Sequence, residues 1–281
     1  MSTIQPESEV IERNKKIHNS ISIIYDKKHT QIYNEIEQHR LNETIQQLLT
    51  ILGTNDEIKV LDFGAGTGNL ALKFLALGCS VVAADVSEES LSLLLNKAKK
   101  YKEKIKTTTL SDLKIPFSNN YFDIVATYSV LHHIPDYLSI IQEMIRITKP
   151  NGLIFIDHEA NENRWNPDKN LAEYYQVTKL TLFKHLKQLL ETKELFTYAF
   201  LKTVFIKLFI NSRYEREGDI HVWHDDHIEW DKIITLLNEN NFELVVNNDF
   251  LLYNPNAGVE LYEQYKLKCT DTKYIIARKK Y

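Results

Sequence analysis

The sequence predicts an α/β fold in which helices cover both faces of a mostly parallel sheet. Apolar runs of strand length alternate with helical patterns from residue 58 to residue 160. A glycine-rich turn follows the first of these strands, and an acidic residue ends the second. Strands and helices that alternate in this way form a doubly wound sheet, and its ligands bind beyond the carboxyl ends of the strands.

Helical patterns precede the sheet. Apolar side chains recur at helical spacing over residues 10–52, with a break around residues 26–29. We therefore expect residues 1–52 to form helices that lead into the first strand.

The glycine-rich turn joins a predicted strand at residues 58–63 to a predicted helix at residues 70–77. Glycine at alternate positions within residues 64–68 allows a tight turn, and the amide groups at the helix start can face a ligand. A dinucleotide fingerprint would need a further glycine where Asn69 stands, and no Gly-Lys-Ser/Thr of a P-loop follows. The turn therefore predicts a nucleotide-binding loop that is neither a dinucleotide fingerprint nor a P-loop.

The second predicted strand, residues 80–85, ends in Asp85, about twenty residues past the glycines, where a carboxylate can bind both hydroxyls of a ribose. Ser87 and Asp136 each begin a predicted helix as caps. The later elements expected are strands at 105–110 and 121–128, a fifth strand that ends at residue 158, a helix at 228–240, and strands at 242–246 and 273–277.

From about residue 59 to residue 160 these motifs resemble, in order, those of the class I S-adenosylmethionine-dependent methyltransferases. The resemblance includes the glycine turn, the acid after the second strand, and the segments at 121–136 and 149–156. It implies a Rossmann-like sheet of seven strands with an antiparallel last strand, and a helical cap that closes over S-adenosylmethionine.

The resemblance also implies which residues bind the cofactor. Asp62 and the glycines would shape the site of its methionine end, Asp85 would bind its ribose, and Ser111 or Asp112 its adenine. The residues predicted to bind S-adenosylmethionine are Tyr25, Asp62, Gly64, Ala65, Gly66, Gly68, Asp85, Val86, Ser111, Asp112, Leu113 and Tyr128.

After residue 160 the alternation stops. Residues 171–210 are predicted to be helical, and residues 195–210 are strongly apolar, although Lys202 and Lys207 interrupt them. This stretch is too short for a membrane span, which needs about 20 apolar residues. It is interpreted as a lid over the substrate pocket, with packing on the core or contact with a membrane surface as alternatives.

The predicted division is therefore a helical cap at 1–52, a cofactor-binding core at 53–160, a helical lid at 161–227, and a C-terminal completion of the sheet at 228–281.

Three histidines are candidates for catalysis. His133 follows the fourth strand and His158 ends the fifth, so both lie at the ligand edge of the predicted sheet. Histidine titrates near neutral pH and can remove a proton from an acceptor, although a structural role is an alternative for each. His224 lies in a cluster at residues 221–227 that holds three histidines and two aspartates. The spacing of that cluster matches no zinc motif, so a substrate pocket is favoured and no metal site is expected.

Composition limits the function further. The 281 residues carry a net charge of −4 with both signs mixed, which gives no basic surface for nucleic acid. Cys79 and Cys269 form no disulfide or metal pattern, and the polar N-terminus has no secretory signal. A cytoplasmic location is expected, and the oligomeric state cannot be predicted.

The sequence therefore predicts methyl transfer from S-adenosylmethionine to an O, N or C nucleophile of a small apolar or aromatic molecule. The chain is most similar to the broad group that includes the ubiquinone and menaquinone biosynthesis methyltransferases. Two alternatives are a catalytically silent cofactor-binding partner protein and a methyltransferase of protein or RNA.

Overall fold

The computed structural model of the chain describes residues 7–22, 25–54, 56–112, 114–179, 198–213, 215, 218–255 and 257–281. Its strands are β1 (Lys59–Phe63), β2 (Ser80–Asp85), β3 (Ile105–Thr109), β4 (Phe122–Tyr128), β5 (Thr148–Ala160), β6 (Val222–Trp223), β7 (Asp226–His227), β8 (Phe242–Phe250) and β9 (Thr272–Lys279).

Seven of these strands form one sheet in the order β3-β2-β1-β4-β5-β9-β8, and β6 and β7 form a separate hairpin. Neighbours from β3 to β5 pair in parallel, whereas β9 runs antiparallel to both β5 and β8. The predicted fold class, a doubly wound and mostly parallel seven-stranded sheet with an antiparallel last strand, is confirmed.

Three helices precede the first strand, and the other described helices lie between later strands. The helices are α1 (Glu7–Ile21), α2 (Tyr25–Lys28), α3 (Glu35–Leu52), α4 (Asn69–Ala76), α5 (Glu88–Lys97), α6 (Tyr137–Ile147), α7 (Glu162–Trp165), α8 (Lys169–Thr178), α9 (Tyr198–Phe209), α10 (Trp230–Glu239) and α11 (Val259–Tyr265). The caps predicted at Ser87 and Asp136 are present, because their side chains accept hydrogen bonds from the backbone amides of Ser90 and Ser139.

Two apolar cores lie on the two faces of the sheet. On one face, Leu41 and Ile45 of α3 pack with Phe74 of α4, and on the other, Ile141 of α6 packs with Trp230 of α10. The central strands β1 and β4 are buried over almost their whole length, as expected for strands covered on both sides. This burial explains why their sequences are mainly apolar.

Strand β8 is longer than predicted. The apolar pattern ends near residue 246, but the strand continues to Phe250 because it pairs with β9 up to Thr272. Its second half holds Asn247, Asn248 and Asp249, which are exposed at the sheet edge and therefore leave no apolar signal.

The predicted lid is described only in part. It contains α8 and α9, while residues 180–197 of the predicted helical stretch lie outside the described residues. Phe205, Leu208 and Phe209 of α9 are exposed. In the described part of the chain, no helix has the length and apolar character needed to cross a membrane. The domain boundaries and the choice between lid, core packing and membrane contact remain predictions.

The turn between β1 and α4 depends on the absence of a side chain at Gly68. Its φ is 101°, and an added Cβ would collide with Leu94 of α5. Gly78 has a similar φ of 90°, but an added Cβ there would meet nothing within 4 Å.

We expect Gly68→Ala to lower the free energy of unfolding more than Gly78→Ala does, by ~1–3 kcal/mol, the typical cost of overpacking. Both variants carry a similar backbone strain, so the difference isolates the contact with Leu94. Urea unfolding of the two variants measures it, and adding Leu94→Ala should remove most of the excess. Equal losses in the two alanine variants would show that the contact is unimportant.

Candidate active site

A cavity lies beyond the carboxyl ends of β1, β2 and β4. Its volume, including the space at its open side, is about 1070 Å³. The turn after β1 forms one wall, and side chains of α1 and α2 face it from the N-terminal cap. Of the residues predicted to bind the cofactor, those on the wall are Tyr25, Gly64, Ala65, Gly66, Asp85, Val86, Asp112 and Tyr128.

Asp85 holds the glycine turn in place. Its Oδ2 accepts a hydrogen bond from the Gly66 amide at 2.8 Å, and its Oδ1 accepts one from the Ser87 amide at 2.8 Å. A carboxylate can accept about four hydrogen bonds, so both oxygens keep acceptor capacity toward the cavity. Gly66 has a φ of 49° and open space where a Cβ would stand, so its backbone can approach a ligand directly.

Asp62 and Gly68 lie behind the turn and not on the cavity wall. Asp62 is only 2% exposed, and its Oδ2 accepts a hydrogen bond from the Ala71 amide of α4 at 2.9 Å. Burial raises the pKa of Asp62 to about 7, with a smaller contribution from the charge of Asp85, although the Ala71 amide opposes the shift. These two residues therefore shape the turn from the inside.

The segment after β3 reaches the cavity through Asp112. The side-chain Oδ1 of Asp112 accepts a hydrogen bond from the Lys114 amide at 2.7 Å, which fixes the local turn. Ser111, the alternative to Asp112 for the adenine, is exposed and does not line the cavity. Leu113 lies outside the described residues.

Hydrogen bonds among Asp26, Thr67 and Lys97, together called the latch, join the N-terminal cap to the glycine turn. Asp26 accepts hydrogen bonds from Thr67 Oγ1 at 2.5 Å and from Lys97 Nζ at 2.6 Å, and Lys97 also donates to the Thr67 carbonyl. Partial burial opposes ionisation of Asp26, but the bonds from Lys97 and Thr67 hold its pKa below the usual value. The Tyr33 hydroxyl lies 3.3 Å from Thr67 Oγ1. The latch places Tyr25 and Tyr33 over the cavity.

The loop after β4 is held by Glu159. One carboxylate oxygen accepts the amides of Val130 and Leu131 at 2.8 Å, and the other lies 2.7 Å from His132 Nδ1. Burial alone would lower the pKa of His132, but the charge and hydrogen bond of Glu159 raise it above the usual value.

His133 is the one predicted catalytic histidine that lines the cavity. Burial, assisted by the neighbouring charges of His132 and His18, holds its pKa well below the usual value. Its backbone carbonyl accepts a hydrogen bond from Asn14 of α1 at 2.9 Å, so the cap and this loop meet at the cavity.

His158 lies under the cavity wall. Its φ is 63°, at an irregularity in the pairing of β5 with β9, and its ring stacks on Tyr128 at a centroid distance of 4.7 Å. Burial lowers the pKa of His158 to about 3. The ring therefore supports Tyr128, which does line the cavity.

The structure does not bring His224 to the cavity. His224 is exposed in the turn between β6 and β7. Within the same cluster, His221 Nδ1 lies 2.5 Å from Asp226 Oδ1 and its Nε2 lies 2.9 Å from the Ile134 carbonyl. The cluster thus attaches the hairpin to the loop after β4.

A buried ionic network that the sequence analysis did not identify supports the site. Arg40 Nη2 donates to Glu37 at 2.5 Å and to Asp157 at 2.9 Å, and the Tyr128 hydroxyl donates to Glu37 at 2.8 Å. The Arg40 guanidinium also stacks 4.1 Å from the ring centroid of Phe250. Arg40 and Asp157 are 117 positions apart, so no local motif indicates their contact.

Residues 61–156 match a family model described as a methyltransferase domain. The chain is 32% identical over 149 residues to a demethylmenaquinone methyltransferase of Lactococcus lactis, a match that covers 51% of this chain and 57% of that protein. It is 28% identical over 205 residues to a demethylmenaquinone methyltransferase of Staphylococcus aureus, which covers 72% of this chain and 73% of the relative.

Among solved structures, an S-adenosylmethionine-dependent methyltransferase from Mesorhizobium loti is similar, with a TM-score of 0.54 and 16% identity. The alignment covers 83% of this chain and 96% of that one. At this identity the likeness concerns the fold. The strand order, the glycine turn held by Asp85 and the match over residues 61–156 agree, so this part of the chain is similar to methyltransferase domains in sequence and in fold.

Proposed function

We propose that the protein transfers a methyl group from S-adenosylmethionine to a small, mainly apolar acceptor with a quinone-type or similar aromatic ring. The observation that carries this proposal is the cavity itself, in which the glycine turn and Asp85 share one space with an apolar wall. A cofactor and an acceptor could therefore lie side by side without intervening solvent.

The residues of the cavity fit the cofactor. Asp85 has acceptor capacity for the ribose hydroxyls, and Gly66 leaves space for a ligand against the backbone. Asp112, Val86 and Tyr25 line the same cavity. In this proposal Asp112 and Val86 contact the adenine, and Tyr25 contacts the methionine end. S-adenosylmethionine supplies a methyl group on a sulfonium centre that is already a good leaving group.

The acceptor would occupy the side of the cavity formed by α1 and the loop after β4. Ile11, Val130, Ile134 and Pro135 give this side an apolar surface, and His133 adds a polar group. Apolar walls with few polar groups are typical of sites for rings. The curated relatives are named for methylation of demethylmenaquinone, which supports a quinone-type ring as the acceptor.

The main task of the chain in this reaction is alignment. The latch and the cap position the cofactor, and the loop held by Glu159 positions His133 beside the acceptor. His133 is the histidine that we retain as a candidate for contact with the acceptor. His158 supports the ring of Tyr128 and does not contact the acceptor in this proposal. His224 has no role in it.

The alternatives gain no specific support from the described residues. A catalytically silent partner protein would bind the cofactor without transferring its methyl group. A protein or RNA methyltransferase would need a basic or extended acceptor surface, and the net charge of −4 does not favour one.

The proposal is tested by single-turnover reactions with S-adenosylmethionine labelled in its methyl group. The acceptors are a short-chain naphthohydroquinone, simple phenols, amines and an RNA oligonucleotide. We expect label in the aromatic acceptor, and mass spectrometry of the product identifies the O, N or C atom. Cofactor binding without transfer to any acceptor would favour the silent protein, and label in RNA alone would favour the second alternative.

The latch makes a separate prediction. Asp26→Asn should weaken S-adenosylmethionine binding about three- to tenfold, because a partly exposed, charge-assisted pair contributes on the order of 1 kcal/mol. Calorimetry measures the affinity. Glu88→Gln is the matched control, since it removes an exposed pair with Lys15 that also joins the cap to α5 but involves no residue of the glycine turn. Equal affinities for Asp26→Asn and the wild type would show that the cap closes without the latch.

A further inference from the structure

We propose that His132, His133 and Asp219 bind a divalent first-row transition-metal ion at the wall of the cavity. His133 Nδ1 lies 3.1 Å from Asp219 Oδ1, and His132 Nε2 lies 4.0 Å from the same oxygen. One donor atom from each of the three side chains lies within 4.8 Å of the other two. Two imidazoles and one carboxylate are a donor set that zinc and iron use in proteins.

The spacing of the donor atoms suits such an ion. Metal–nitrogen and metal–oxygen bonds of roughly 2.0–2.1 Å at tetrahedral angles place two donor atoms about 3.3 Å apart. The distance from His133 to Asp219 is already close to that value. The distance from His132 to Asp219 must shorten by about 0.7 Å, and the distance between the two histidine donors, which is within 4.8 Å, by up to about 1.5 Å. Metal binding therefore requires small rotations of these side chains.

Glu159 orients His132 as a metal ligand. Because the Glu159 carboxylate lies 2.7 Å from His132 Nδ1, the proton of the neutral ring belongs on Nδ1. The lone pair is then on Nε2, the nitrogen nearest Asp219. A carboxylate behind a histidine in this way is the usual outer partner of a metal-bound imidazole.

His133 supplies the second observation. Its Nδ1 is buried and has no hydrogen-bond partner, because the nearby Asp219 oxygen lacks the alignment of a hydrogen bond. A buried nitrogen in this state is costly, and a metal ion would satisfy it.

The backbone brings the third ligand to the histidines. The amides of Ile220 and His221 donate to the His132 carbonyl at 3.0 and 3.1 Å, so the segment that carries Asp219 is bonded to the loop that carries both histidines. The three ligands are therefore held close together by the fold.

The position of the ion has a chemical consequence. His133 lines the cavity, whereas its Nδ1 is buried behind the wall. A metal ion on that nitrogen would fix the orientation of the His133 ring beside the proposed acceptor. This consequence rests on the proposed function, whereas metal binding itself can be measured without an acceptor.

This site differs from the cluster at 221–227 that the sequence analysis considered and rejected. Its ligands come from two segments about ninety positions apart, so the linear sequence shows no metal motif. His224 of the neighbouring hairpin therefore offers a matched control, being an exposed histidine close in sequence to Asp219.

The test is a calorimetric titration of the full-length, chelator-treated protein with zinc chloride. We expect one equivalent of zinc to bind to the wild type, at least tenfold weaker binding to Asp219→Asn, and unchanged binding to His224→Gln. Asp219→Asn preserves the shape of the side chain, and thermal unfolding of the metal-free proteins checks that it folds like the wild type.

Three results would overturn the proposal. They are the absence of zinc binding to the wild type, equal affinity in Asp219→Asn, and loss of binding in His224→Gln, which would place the zinc on the hairpin. None of them depends on methyl transfer, so failure of the metal site and failure of the proposed function are distinguishable.

Discussion

The hydrogen bonds from Gly66 and Ser87 to the Asp85 carboxylate are the interaction on which the site depends. Asp85 is 9% exposed, and a carboxylate so buried is stable only when hydrogen bonds replace its water. Here the amides of Gly66 and Ser87 replace that water, and the bond from Gly66 joins the turn after β1 to the end of β2. The carboxylate thus both shapes the turn and faces the cavity, so one residue connects the fold to ligand binding.

The end of β5 organises the other side of the cavity. Three successive buried side chains have three different partners: Asp157 binds Arg40 of the cap, His158 stacks on Tyr128, and Glu159 holds the loop of His132. The positive φ of His158 interrupts the regular alternation of the strand and allows this arrangement. Asp157 is fully buried, and this burial raises its pKa although the charge of Arg40 opposes the shift.

Local patterns in the sequence predicted the individual strands, the glycine turn and the helix caps, because each of these depends on residues close together in the chain. The number of strands and the antiparallel last strand were implied by the family resemblance. The contact between Arg40 and Asp157, and the approach of Asp219 to His132, are tertiary and leave no local signal. The polar end of β8 was missed because its pairing with β9, and not apolar burial, extends it. Leu113 and residues 180–197 lie outside the described residues, and the cytoplasmic location remains a prediction.

A calorimetric titration of the wild type and of Asp85→Asn with S-adenosylmethionine, S-adenosylhomocysteine and NAD tests whether the glycine turn and Asp85 bind the cofactor. We expect the wild type to bind both adenosyl ligands and not NAD. We also expect Asp85→Asn to lose most of this affinity. The variant should be somewhat less stable, because the amide nitrogen of asparagine cannot accept the second backbone hydrogen bond, so circular dichroism checks that it is folded at the temperature of the titration. Binding of NAD alone, or unchanged binding of S-adenosylmethionine in Asp85→Asn, would contradict the account of the glycine turn and its carboxylate.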